Sequence, residues 1–200
     1  FGNPYIPGSS LKGAIRTILL NTEWKNTDFT SKTSKGVKEN RHAIPWGGKR
    51  KTEFNDIFNE IRVSDSPPLE NNKMIIVQKW DYSSKAKSIP LYRESIEPFT
   101  VLEFTITTTT ERSYRLISQL PQLAKEFYAQ YQSFFLNEFP DRLVQNNLQF
   151  PIYLGGGSGV WTKTIIRQAH GIVQKRYIKS RTKMIRKGVM KLTKALDKKY

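Results

Sequence analysis

Hydrophobic and polar positions follow two different periods along the chain. From Ser9 to Leu20, Leu11, Ile15, Ile18 and Leu19 recur at three- and four-residue steps behind the hydroxyls of Ser9 and Ser10. That spacing predicts a short amphipathic helix, with Gly8 permitting the turn before it. Residues 21–52 are polar, rich in Thr, Lys, Asn and Gly with scattered aromatics such as Trp24, Phe29 and Trp46, and read as a long surface insertion. Phe54, Ile57, Phe58 and Ile61 resume a helical or turn-like spacing, and Ile61 to Asp65 alternates as a strand ended by Ser66-Pro67-Pro68. Met74 to Val77 is a second short strand, and Phe99 to Thr109, entered at Glu97-Pro98, is the strongest strand pattern. Pro121 suits a first helical turn, after which Leu123, Phe127, Tyr131, Phe134 and Phe135 mark a buried helix face until Pro140. Phe150 to Leu154 leads into Gly155-Gly156-Gly157-Ser158-Gly159, and Val160 to Gln168 looks helical again. In the last segment Ile185, Val189, Leu192 and Leu196 share a helical face, while a short strand from Gly188 to Thr193 is the alternative. The order predicts an α+β fold with no repeat of fixed period.

Composition narrows the class. Two hundred residues with 38% hydrophobic content suit one domain carrying insertions, residues 1–200, with 21–52 as the polar insertion and 172–200 as a basic C-terminal segment. No cysteine is present, so there is neither a disulfide framework nor a thiolate metal cage, and a reducing cytoplasm would suit the chain. No apolar run is long enough to span a bilayer and no secretory leader pattern opens the sequence, so a soluble protein with no membrane partner is expected. Lys and Arg number 33 against 17 Asp and Glu, a formal charge of +16 with pI near 10.0. This is the footprint of a polyanion partner. The charge is weighted to the end: residues 151–200 hold 13 basic residues and one acidic residue, a net of +12.

Three constellations bear on chemistry. Glycine runs admit anions because backbone N–H groups can approach without side chains in the way. Gly155, Gly156, Gly157 and Ser158 therefore form either a plain tight turn or an anion site, with Lys163 and Arg167 favouring phosphate. Spacing excludes a P-loop, since Lys163 follows Thr162, and Val160 spoils a dinucleotide fingerprint. Lys12 and Arg16, four apart, flank the apolar stripe and are either a wet helix shoulder or a paired ligand contact beside the N–H groups and hydroxyls of Pro7-Gly8-Ser9-Ser10. The run from Lys175 and Arg176 to Lys199 is a solvated face or an extension of the same surface. Catalytic readings are thin. No metal site and no cofactor are expected, because the two histidines, His42 and His170, have no carboxylate pair near them in sequence. Either histidine could serve as the base of a metal-independent ribonuclease; Asp28 and Asp65 could act in phosphodiester cleavage, although Asp65 could equally cap a turn.

The segment Pro4-Tyr5-Ile6-Pro7-Gly8-Ser9-Ser10-Leu11-Lys12-Gly13-Ala14-Ile15-Arg16-Thr17 resembles the RAMP superfamily of CRISPR-associated proteins, whose first helix opens with P-G-S-S-x-K-G-x-x-R. Ile61-Arg62-Val63-Ser64-Asp65-Ser66, Tyr92-Arg93-Glu94 and the glycine run are similar to later features of that superfamily. With Gly159 to Thr164 and Lys183 to Gly188, the pattern looks most like the fifth-named Csm subunits of type III-A systems. The resemblance implies a ferredoxin-like, RNA-recognition-type core with its first strand upstream of Phe1. It also implies a non-catalytic subunit that binds CRISPR guide RNA near its 3′ end, supports guide maturation and joins other Csm subunits, especially the repeating backbone subunit, with target RNA a further partner. The RNA contacts are then expected at Ser9, Ser10, Lys12, Arg16, Gly155, Gly156, Gly157, Ser158, Lys163, Arg167, Lys175 and Arg176. The rival expectation is a RAMP endoribonuclease processing repeat RNA with His42 or His170 as base.

Overall fold

The structure is a computed structural model that describes residues 2–23, 30–33, 36–39, 57–81, 87–134, 136, 150–156 and 162–163. Its elements are α1 (Gly8–Asn21), β1 (Thr30–Thr33), β2 (Gly36–Glu39), β3 (Ile61–Val63), β4 (Met74–Asp81), β5 (Lys87–Ile96), β6 (Ile106–Thr108), α2 (Glu111–Ser118) and α3 (Leu120–Phe134), with single 3-10 turns at Ile57–Glu60 and Asn71–Lys73. Helix and sheet are mixed, as an α+β reading requires. The strands pair as β1 with β2, β3 with β6, and β4 with β5. The chain divides into two compact units, residues 1–10 with 63–106 and residues 11–62 with 107–200.

In the unit of residues 11–62 and 107–200, the predicted stripe of α1 forms as read: Leu11, Ile15, Ile18 and Leu19 are all buried. They belong to a core with Ile57, Phe58, Ile61, Leu116, Leu123, Ala124, Phe127 and Tyr131. Each fully buried large side chain contributes about 1.5–3 kcal/mol relative to exposure. Asn21 and Thr22, read as the first residues of the polar stretch, are buried at the end of α1. Their short side chains turn back on the last carbonyls, Asn21 Nδ2 donating to Thr17 O at 2.8 Å and Thr22 Oγ1 to Ile18 O at 2.9 Å. The β1–β2 hairpin follows, antiparallel from Thr30↔Glu39 to Thr33↔Gly36.

α2 was not expected. It starts at a capping box in which Thr110 Oγ1 accepts from Ser113 N and Ser113 Oγ accepts from Thr110 N, both at 3.2 Å. Glu60 ties this start to the preceding 3-10 turn. Its carboxylate accepts from Thr110 Oγ1 at 2.6 Å and is paired with Arg112, while its carbonyl accepts from Thr109 N at 3.0 Å. α3 follows after Gln119 with Leu123, Phe127 and Tyr131 of the predicted face buried, while Phe135 and the side chain of Phe134 lie outside what is described, and Tyr131 meets Tyr153 edge-on with ring centroids 5.5 Å apart.

In the unit of residues 1–10 and 63–106, the long β4–β5 hairpin pairs Met74↔Ile96 through Gln78↔Tyr92, then shifts register before Trp80↔Ser88. Three residues of β5 sit opposite one of β4 at that shift, and Pro90 is the middle of the three. A residue without an N–H is tolerated there because the ladder is already interrupted. The strand expected from Phe99 to Thr109 is corrected: only Ile106–Thr108 pairs. The period-2 alternation is present, with Val101, Glu103 and Thr105 exposed and Leu102 and Phe104 half-buried. Among the described residues, 99–104 have no strand partner. β3 ends at Val63, after which Ser64 binds Thr105 at both ends, Ser64 N to Thr105 O and Thr105 N to Ser64 Oγ, each at 2.9 Å.

Candidate nucleic-acid interface

The beginning of α1 is built around Gly8. A Cβ at this buried position would overlap the carbonyl oxygens of Val63 and Ser64, so only glycine lets the helix start against that backbone. The Gly8 N–H donates to Asp65 Oδ1 at 2.7 Å, and Ser10 N donates to Pro7 O at 2.9 Å. Of the two sequence expectations for this helix end, a wet shoulder or a ligand contact, the second requires free N–H groups. The structure corrects that at Gly8, where the Asp65 carboxylate already supplies the negative charge that a helix N-terminus favours. Around it, Ile6 N donates to Ser66 Oγ at 2.9 Å and Ser66 N to Ile6 O at 2.9 Å, which fixes the Pro7-Gly8 approach. The hydroxyl-bearing residues Ser9 and Ser10 are exposed.

Further along α1, Lys12 and Arg16 are half-buried and engaged within the fold. Lys12 Nζ donates to Ile61 O at 2.7 Å, and the Arg16 guanidinium lies over the Phe58 ring, 5.2 Å from its centroid. An ammonium has three donors and a guanidinium five, so these contacts orient both cations without consuming their capacity to bind an anion. They also give each a structural role that spacing on a helix did not reveal.

The glycine turn has the opposite character. Gly155 has φ of +69° and, like Gly156, is exposed, with open space where a Cβ would be added to Gly155. The exposed Lys163 closes the turn by donating from Nζ to Gly155 O. Gly157, Ser158, Arg167, Lys175 and Arg176 lie outside the described residues. So do Asp28, His42 and His170, the helix expected from Val160 to Gln168, and the helix-or-strand alternatives of the last segment. Asp65 is accounted for as the partner of Gly8. Sequence reasoning missed Glu60, whose carboxyl is held below its ordinary value of 4.5 by hydrogen bonding and charge from Arg112, with Thr110 adding a second donor against the opposing effect of burial. Among the described residues, no group of three or more His, Cys, Asp or Glu could hold a metal ion, and no helix is long and apolar enough to cross a membrane.

The chain is 60% identical over 200 residues to "CRISPR system Cms protein Csm5" of Streptococcus thermophilus, covering 98% of this chain and 56% of the relative. A Csm5 of Mycobacterium tuberculosis is 29% identical over 194 residues, covering 82% of this chain and 50% of the relative. The chain thus spans about half the length of the curated relatives it matches. Among solved structures, a chain of a Csm–crRNA–target RNA ternary complex from a type III-A CRISPR-Cas system has the same fold, with TM-score 0.56 at 20% identity over 91% of this chain and 65% of that one. The model of the RAMP superfamily matches residues 1–183, and the chain belongs to that superfamily.

Proposed function

We propose that this protein is a non-catalytic subunit of a type III-A Csm ribonucleoprotein, holding the sugar-phosphate backbone of the guide RNA near its 3′ end and supporting guide maturation and assembly. The observation that carries the reading is the 60% identity to a Csm5 along 98% of the chain. A net charge of +16 supports it, because a guide carrier must grip spacers of any sequence and only phosphates and 2′-hydroxyls are constant among them. In this reading the core is ferredoxin-like, a single RAMP-like domain carries the polar insertion, and the protein works in the cytoplasm. The neighbours are the repeating backbone subunit, guide RNA and target RNA.

The cations divide the labour. Lys12 and Arg16, pre-oriented by Ile61 and Phe58, present charge from a rigid helix, while Ser9 and Ser10 offer hydroxyls. The turn at Gly155, Gly156, Gly157 and Ser158 offers backbone, and Lys163, Arg167, Lys175 and Arg176 add charge. No residue here is assigned to bond cleavage. The test is reconstitution of the type III-A complex with guide RNA, followed by photo-crosslinking and a single-turnover assay on repeat RNA with and without divalent metal. Crosslinks to the 3′ portion of the guide without cleavage by this subunit are expected. Cleavage of repeat RNA that is lost in His42→Ala or His170→Ala would overturn the proposal in favour of a processing endoribonuclease.

A further inference from the structure

In the unit of residues 1–10 and 63–106, the turn Glu97-Pro98-Phe99-Thr100 sets a bulky residue against its local physics. Pro98 occupies the second position, and Thr100 N donates to Glu97 O at 3.3 Å across the turn. Turns with proline in that place and positive φ at the next residue take glycine or asparagine there. Here the residue is phenylalanine, with φ of +66°, the single non-glycine residue with positive φ among those described. Phe99 is nevertheless fully exposed, so no packing among the described residues offsets the strain. Val101, two residues on, is 82% exposed.

Local charge discriminates between the classes of molecule that an exposed aromatic could meet. Surfaces that stack nucleic-acid bases combine aromatics with cations that track the phosphates. Residues 94–110 contain Glu94, Glu97 and Glu103 and neither lysine nor arginine, in a chain whose net charge is +16. All three glutamates are exposed, and Lys73 Nζ lies 3.6 Å from the carboxylate of Glu97. A projecting phenylalanine and valine in a segment whose charged residues are all exposed glutamates disfavour a polyanion and complement a basic protein surface. Aromatic anchors that seat in a partner's apolar pocket are where interface energy concentrates.

We infer that Phe99 and Val101 form a protein-docking knob, fitting an apolar socket rimmed with lysine or arginine on an adjacent protein subunit; this rests on the subunit reading proposed above. The test uses the reconstituted Csm complex with the full-length protein, its Phe99→Gly and Glu103→Lys variants, and guide RNA as a separate probe. Phe99→Gly is expected to keep or raise the melting temperature, leave the affinity of the free protein for guide RNA unchanged and lower its retention in the complex at least tenfold. Glu103→Lys should lower retention less, by an amount that shrinks at high salt. Equal retention of wild type and Phe99→Gly would overturn the docking inference alone, whereas a wild type that never enters the complex would overturn the subunit reading and this inference together. Loss of RNA affinity in Phe99→Gly would replace it with base stacking, and a loss of melting temperature would mean that Phe99 packs within its own chain. A wild-type dimer in solution that Phe99→Gly dissolves would make a second copy the occupant and overturn the subunit socket.

Discussion

Gly8 and Gly155 are both glycines next to proposed RNA contacts, and they are glycines for opposite reasons. Gly8 is buried, and its hydrogen is the only substituent that fits beneath the carbonyls of Val63 and Ser64. Gly155 is exposed, has open space around the absent Cβ, and is needed for a φ of +69°. One position is constrained by packing and the other by torsion. The first makes a rigid platform for the start of α1; the second makes a turn whose backbone can be approached from outside.

Substitution separates the two. Gly8→Ala forces the start of α1 away from the Val63-Ser64 backbone and should cost about 1–3 kcal/mol, by the scale of overpacking in a tight site. Urea denaturation measures it, and a loss below about 1 kcal/mol would show that the helix start can shift without penalty. Asp65→Ala removes the acceptor of the Gly8 N–H and should cost about 1 kcal/mol, the usual worth of a capping side chain, with Asp65→Asn recovering part of it. Full stability in Asp65→Ala would mean that water serves Gly8 equally well. Gly155→Ala meets no clash and should lose about 1 kcal/mol from torsion alone, while Gly155→Asn loses less because asparagine tolerates positive φ. If the two lose equally, side-chain bulk and not torsion governs the turn.

A smaller effect belongs to Glu60. Its folded pKa lies below its ordinary value of 4.5, so the carboxylate contributes stability that is fully present above that value and is lost as pH falls through the lowered folded pKa. Melting curves between about pH 6 and pH 3 should therefore fall more steeply for the wild type than for Glu60→Gln. Parallel curves would show that the Arg112 and Thr110 contacts do not persist in solution.

What could be read in advance was what short-range pattern controls. The stripe of α1 and the face of α3 follow the helical period, and burial of Leu11, Ile15, Leu123 and Phe127 agrees with it. β5 was hidden by Pro90, which argues against a strand until the register shift that accommodates it is seen. α2 was hidden by the threonines before it, which extend a strand pattern up to the residue that caps the helix; the Thr110-to-Ser113 spacing was its one local signal. Phe99 to Phe104 has the alternation of a strand and, among the described residues, lacks the neighbour that would make it one. The site followed the same division. Residue types and spacing drew attention to Lys12 and Arg16, but their engagement with Ile61 and Phe58 depends on pairings 49 and 42 positions apart. The links from Glu60 to Thr110 and Arg112 are of similar range and left no trace in local sequence.

The proposed grip on phosphates makes RNA binding by this protein depend on salt. Titrating the affinity of the full chain for single-stranded guide RNA against salt tests it most directly. If about five phosphates are neutralised, log affinity should fall against log salt with a slope of roughly −3 to −4. A slope between about 0 and −1 would contradict the account, because binding would then rest on contacts that the charge of this chain does not explain.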